Sequence, residues 1–263
     1  MRAKLISAPY TIWMALFIIV PMGLVVFFAF TDKSGAFTLD NILRVGQYSN
    51  VFLRPIWLGA IATAISLLLG YPLAYTISKM KAKRQSVMIM LVMLPMWMNF
   101  LLRTYAWMSL LEDNGLINNM LAAIGLPRVH MINTAGAVVL GMVYNYIPYM
   151  ILPIYSVLTK IDNSVIEAAQ DLGANDRKVF LKVVLPMSMP GVISGITMVF
   201  VPAVSTFIIS KMLGGGGNLL IGDLIDMQFL GSAYNPNLGS AISLVLMVII
   251  LICMGIMNQF DDG

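Results

Sequence analysis

The sequence predicts an all-α, polytopic membrane protein with six transmembrane helices. Two observations predict it. Hydrophobic residues make up 59% of the 263-residue chain and charged residues only 11%, whereas soluble domains carry about 25% charged residues. The apolar residues also gather into long runs. A spanning helix needs about 20 of them, so the chain has room for about six spans with short loops.

Span one covers about residues 9–30, rich in Phe, Ile and Val, with Pro21 and Gly23 inside. Arg2 and Lys4 precede it as in a secretory leader. The run from Leu5 to Phe30 is too long for a leader's ~7–15-residue core, and no small-residue cleavage site follows, so a retained span is expected. Residues 31–54 are polar. Span two, about 56–78, is charge-free and holds Gly70 and Pro72; the basic stretch Lys79-Met-Lys81-Ala-Lys83-Arg84 follows. Span three, about 86–111, contains Pro95 and Arg103, and a polar loop runs from 112 to 133. Span four, about 134–158, contains Pro148 and Pro153. Span five, about 189–210, opens with Gly191 and Gly195, whose spacing fits close helix packing. A glycine-rich loop, 211–237, leads to span six, about 238–257. Prolines within spans two to five break backbone hydrogen bonds, which a bilayer tolerates where neighbouring helices or a wet cavity satisfy the freed groups.

The longest polar segment, residues 163–190, reads as two short helices with a break. Ser164 and Glu167 have capping-box spacing. Val165, Ile166, Ala169 and Leu172 fall on one helical face. Gly173 stands where a left-handed C-terminal cap is wanted, and Asn175 or Asp176 can cap the second helix. Val179, Phe180, Val183 and Val184 are its apolar positions, with Lys178 and Lys182 on the wet side. Pro186 and Pro190 are expected to turn the chain into the next span.

Charge sets the expected orientation. With the N-terminus inside, the cytoplasmic segments hold Arg2, Lys4, Lys79, Lys81, Lys83, Arg84, Lys160, Arg177, Lys178 and Lys182. The outer loops hold Lys33, Arg44, Arg54, Arg128 and Lys211. That asymmetry places both termini and the 163–190 segment in the cytoplasm. Arg103 is the one charge well inside a span. Such charges face the protein interior or a cavity, or reach outward along their stems; Glu112, Asp113 and Asp226 are its candidate partners.

Composition excludes much chemistry. The net charge of +4 comes from short loops between spans and is not a nucleic-acid footprint. One histidine, His130, and one cysteine, Cys253, allow neither a hydrolase triad nor a metal site, and no cofactor is expected. Gly214-Gly215-Gly216-Gly217-Asn218 lacks the Lys-Ser/Thr of a phosphate loop. The outer acids Asp32, Asp40, Glu112, Asp113, Asp223 and Asp226, with Trp97, Tyr105, Trp107, Tyr144, Tyr146 and Tyr149 near the spans, suit a cationic substrate through charge and cation–π contact. Interface aromatics and loop acids are common in membrane proteins, so composition leaves the substrate open.

Glu167-Ala168-Ala169, Gly173, Leu185 and Pro186 reproduce the spacing of the "EAA" loop of ABC importer permeases; Val183 stands where that family usually has Ile. Phe37-Thr38-Leu39-Asp40-Asn41, the run Pro95–Arg103, the run Tyr146–Tyr155, and Met212–Gly222 with Gln228-Phe229 resemble the polyamine branch of the family, its first spermidine/putrescine permease subunit. The likeness covers about residues 10–250; branches that carry iron, phosphonates or opines share part of it. The resemblance implies a type I importer permease fold (MetI-like), one permease domain over 1–263 with a cytoplasmic coupling-helix loop at 163–186, and a bacterial inner membrane location. It implies a second permease subunit, two ATP-binding subunits and an extracytoplasmic substrate-binding protein as partners, with ATP hydrolysed elsewhere. Glu167, Ala168, Ala169, Gly173, Leu185 and Pro186 would couple to the ATPase. Trp97, Asn99, Arg103, Tyr146, Asp223 and Asp226 are the expected path residues. The main alternative is an ABC importer permease for another small solute of the iron, phosphonate or opine type; a gradient-driven secondary transporter ranks below it, since the chain shows no clear repeat and no mid-span acid. A non-transport scaffold would leave the polar helix pair unexplained.

Overall fold

The computed structural model describes residues 9–215, 220–231 and 233–259. Arg2 and Lys4, and Gly216, Gly217 and Asn218 of the glycine-rich loop, lie outside the described residues. Regular structure among the described residues is helical, apart from one isolated bridge between Thr31 and Phe37. Internal contacts divide the chain into two compact units, one of residues 1–53 with 221–252 and one of residues 54–220 with 253–263.

In the first unit, α1 (Pro9–Ala29) is long and apolar enough to span. Its side chains are largely exposed, as expected of a lipid-facing helix. Its C-terminal carbonyls cannot be left bare in a membrane. Two buried amides close them. Asn41, from α2 (Asp40–Val45), donates to the Ala29 and Thr31 carbonyls. Asn237, in the first turn of α12 (Pro236–Gln259), donates to those of Phe28 and Thr31. α12 also lies close on α11 (Ile221–Phe229): a Cβ at Gly239 would stand 3.0 Å from Gln228 Cβ and Phe229 Cε2.

The second unit is built on α7 (Ala135–Leu158) and α9 (Asp176–Ser205), with α3 (Ser49–Ser78) against them. Gly191 and Gly195 make the closest approach. A Cβ at Gly191 would lie 2.8 Å from the Pro153 carbonyl oxygen, and one at Gly195 would lie 2.8 Å from Met150 Sδ and 3.1 Å from its carbonyl oxygen. The small-residue spacing therefore packs α9 on the backbone of α7, as expected. Buried Met150, Ile151, Ile154, Val192 and Val199 fill the seam, joined by Tyr71 and Ala74 of α3. The Tyr71 hydroxyl shares a 2.8 Å hydrogen bond with Ser188 Oγ.

Spans one, two, four and six lie close to their expected limits. Two expectations need correction. Span three is not one rod: α4 (Ala82–Trp97) ends where Met98 and Asn99 turn extended, and the helical stretch from Phe100 to Ala123 leaves at 88°. It comprises α5 (Phe100–Leu111) and α6 (Leu116–Ala123). Asn99 starts the new helix by accepting the Leu101 and Leu102 amides. Nor do Pro186 and Pro190 turn the chain. α9 runs unbroken through both; ahead of Pro186 a π-helical turn at Phe180–Val184 shifts the register, with Leu185 N–H donating to the Phe180 carbonyl. α1 repeats this device: a π turn at Ala15–Ile19 precedes Pro21, and Val20 N–H donates to Ala15. One residue is added where proline lacks its donor, so the helix continues. α9 then stops at Ser205, and α10 (Ile208–Leu213) follows.

The packing of α9 on α7 carries a testable consequence. Gly191→Ala should destabilise the folded chain by about 1–3 kcal/mol, since backbone must move to admit the methyl. Gly23→Ala, with nothing within 4 Å of its Cβ position, should not. Thermal unfolding in detergent measures both.

Candidate functional site

The polar segment forms a stiff projection at one end of the α7–α9 pair. Its first helix, α8 (Asn163–Asp171), is capped at both ends. Asp162, not Ser164, is the N-cap: its backbone is extended and its Oδ1 accepts the Ser164 amide at 3.0 Å. The chain therefore enters the helix early, and Glu167 falls in the second turn, beyond capping-box reach. Hydrogen bonds from Ser164 hold the Asp162 carboxyl below the usual carboxylate range. The cap is thus fully ionised at neutral pH and is lost only as the medium turns acid enough to reach that lowered value.

The C-terminus of α8 closes as a Schellman motif. Gly173 has φ +81°, its N–H donates to the Gln170 carbonyl, and Ala174 N–H donates to that of Ala169. Asn175, one of the two expected caps, accepts the Lys178 amide and starts α9.

The helix splits into an anchored and a free face. Ile166, Ala169 and Ala174 pack against the apolar cluster that contains Leu158, Val179 and Val184. Glu167, Ala168 and Leu172 face outward, with Leu172 90% exposed. The single apolar face expected from spacing is thus divided: Val165 and Leu172 are exposed. Ala169, Leu172, Gly173, Ala174, Lys178 and Val183 rim a hollow of about 270 Å³. Leu185 is half-buried and Pro186 exposed. A small residue on the outward face, the acids Glu167 and Asp171, and one bare leucine form a surface suited to insertion between elements of another chain.

The expected path residues fall in both units. In the second unit, Arg103 is 7% exposed. Its Nη1 donates to the Pro95 carbonyl at 2.6 Å, and its guanidinium lies 5.8 Å from the Phe100 and Tyr144 rings. A backbone carbonyl and two rings thus hold it in this unit, where Glu112 and Asp113 were candidate partners; Asp113 meets His130 Nδ1 at 2.8 Å. Arg103 thereby ties α5 back to the end of α4 across the break, which Asn99 opens. Trp97 is 71% exposed beside that break. Tyr146 is half-buried, with Tyr149 at 6.5 Å. In the first unit, Asp223 is buried and Asp226 half-buried, three residues apart on one face of α11.

Sequence reasoning passed over Asn145. It is buried in α7 between Tyr144 and Tyr146, and its Nδ2 donates to the Gly141 carbonyl, while among the described residues no partner meets its Oδ1. A single amide within an apolar run was the available signal.

If Arg103 is a staple, Arg103→Met should lower unfolding stability by about 2 kcal/mol, the value of a hydrogen bond from a charged group, and should expose the Met98–Asn99 break to limited proteolysis. Unchanged stability with impaired transport would instead make it a path residue.

Residues 66–262 match the model of the family described as "Binding-protein-dependent transport system inner membrane component". The chain is 38% identical over 247 residues to the spermidine/putrescine transport system permease protein PotB of Haemophilus influenzae, covering 90% of this chain and 86% of that protein. It is 35% identical to the Escherichia coli protein of the same name, covering 90% of each. Among solved structures it resembles a bacterial alginate ABC transporter in complex with an alginate pentasaccharide-bound periplasmic protein, with a TM-score of 0.79 at 20% identity, covering 98% of this chain and 92% of that one.

Proposed function

Because the chain belongs to the family of binding-protein-dependent transport system inner membrane components, we propose that it is the permease subunit of an ATP-driven importer of polyamines such as spermidine and putrescine. The substrate class rests on the two PotB relatives, whose likeness spans nine-tenths of the chain. The coupling role rests on one observation: α8 is capped at both ends, fixed to the membrane core by Ile166 and Ala169, and presents Glu167, Ala168 and Leu172 outward.

One permease domain, residues 1–263, pairs with a second permease. The 163–186 segment is cytoplasmic, as are both termini, in keeping with the distribution of Lys and Arg. There α8 docks into one of two ATP-binding subunits through Glu167, Ala168, Ala169 and Gly173, with Leu185 and Pro186 at the root of the lever. An extracytoplasmic binding protein delivers substrate to the opposite face. The chain supplies a path and a lever, and a partner hydrolyses ATP. Closure of the ATPase pair pushes α8. Because Ile166, Ala169 and Val179 share one packed cluster with α7 and α3, the push moves those helices together. Packed cores rearrange between discrete states and do not bend continuously. Along the path, Trp97, Tyr146 and the acids Asp223 and Asp226 attract and pass a polycation, while Asn99 and Arg103 hold the broken span in shape.

Uptake of labelled spermidine by membrane vesicles carrying the assembled transporter, with and without enclosed ATP, tests this. ATP-dependent uptake that putrescine competes away is expected; coupled ATPase activity without spermidine uptake would discard the polyamine and keep the importer. Two variants refine it. Glu167→Lys should leave the chain inserted but strip the ATPase subunits during purification; an intact, transporting complex would refute the docking role. Asp226→Asn should reduce spermidine uptake several-fold, as loss of about 1 kcal/mol of attraction implies, with assembly unaltered. Normal uptake would remove Asp226 from the path.

A further inference from the structure

The turn between α3 and α4 is the most strongly charged exposed site that the transport cycle leaves unused. Lys79, Lys81, Lys83 and Arg84 lie within six residues with no acid among them, and all four are exposed. No carboxylate pairs with any of them among the described residues. Three of these cations stand at the N-terminus of α4, where Lys81 is the N-cap residue, no side chain caps the helix and no acid occupies the first turn. That arrangement opposes the helix dipole, which favours negative charge at an N-terminus. The Arg84 and Gln85 amides both donate to the Lys81 carbonyl. A local rule is broken at cost, with no carboxylate among the described residues to offset it.

Beside this turn lies a polar hollow of about 330 Å³, lined in part by Ser78, Lys79, Gln85, Thr159 and Asn163. Its wall is braced. Gln85 Nε2 donates to the Ser78 and Met80 carbonyls, and its Oε1 accepts from Tyr155. Ser78 and Thr159 spend their hydroxyls on local carbonyls. Lys79 is steadied over the Tyr75 ring at 5.7 Å. The ammonium of Lys79 is therefore the strongest donor at the rim. α4 continues from the turn with no buried residue, and Val87, Met90, Leu91 and Leu94 are exposed along it.

We propose that the α3–α4 turn and the adjoining hollow bind the phosphate headgroup of an anionic phospholipid, whose acyl chains lie along the apolar surface of α4. Charge complementarity selects an anion, and the adjoining apolar surface selects one with hydrocarbon attached. Clustered cations at the end of a spanning helix attract anionic lipids with about 1 kcal/mol each, or about fivefold in affinity. The bound lipid supplies the negative charge missing from the start of α4.

The test uses the full chain in zwitterionic detergent, titrated with phosphatidylglycerol or phosphatidylcholine and read by native mass spectrometry and thermal unfolding. Phosphatidylglycerol should be retained in preference and should raise the unfolding midpoint. K79Q and R84Q should each weaken its retention about fivefold, and the quadruple variant K79Q/K81Q/K83Q/R84Q should abolish the preference, while K33Q/R44Q keeps it. The single variants are read separately because full neutralisation can misdirect insertion. Equal retention of the two lipids by the wild-type chain, or undiminished preference in K79Q and R84Q, would overturn the proposal. Equal stabilisation by glycerol phosphate at the same concentration would also overturn it, since the site would then take a free anion.

Discussion

A backbone carbonyl at a helix end inside a bilayer has no water to accept from, and leaving it bare costs several kcal/mol. The chain meets this constraint repeatedly with the same device: a polar side chain brought from another turn or helix. Asn41 and Asn237 close the end of α1. Arg103 adds a donor to the Pro95 carbonyl near the end of α4, and in the exposed turn Gln85 does the same for the end of α3. Within the helices, the π turns before Pro21 and Pro186 do equivalent work by shifting the hydrogen-bond register. Much of the polarity in this apolar chain therefore holds the helices in shape.

The same economy bears on the lever role proposed for α8. An isolated nine-residue helix would be marginal in water. Here Asp162, the Gly173 motif and the Ile166–Ala169 anchor hold it at both ends and along one side. The free side then carries Glu167, small Ala168 and Leu172 among its exposed residues. Downstream, α9 passes without interruption from this root to Ser205, lying on α7 through Gly191 and Gly195. At Gly191 the two helices approach to backbone distance, and Met150, Ile151 and Val192 pack the rest of the seam.

Periodicity and composition made the all-helical, multi-span fold class legible because apolar run length is dictated by bilayer thickness. The Gly173 turn, the Asn175 cap and the Gly191–Gly195 contact were likewise legible, since each depends on local backbone geometry. Three features were not. The break at Asn99 depends on a cap competing with a continuing helix, and residue type alone does not decide that contest. The unbroken course of α9 through Pro186 involves a π turn with no sequence signature of its own. The partner of Arg103 was sought among acids because charges attract, yet its guanidinium donates to the Pro95 carbonyl, which also accepts the Met98 amide. The outward turn of Leu172 was also hidden, because an amphipathic pattern does not say how much of the apolar face the chain itself covers.

The most direct measurement is a cross-link. Cys253 is the chain's single cysteine; with it changed to Ser, Leu172→Cys places one thiol on the free face of α8. In the assembled transporter this thiol should cross-link to the ATP-binding subunit, with an efficiency that changes when ATP is added. A cysteine at Ile166, on the anchored face, should not react. Cross-linking from Ile166 but not from Leu172, or no product at all in a transporting complex, would contradict the assignment of α8 as the coupling lever.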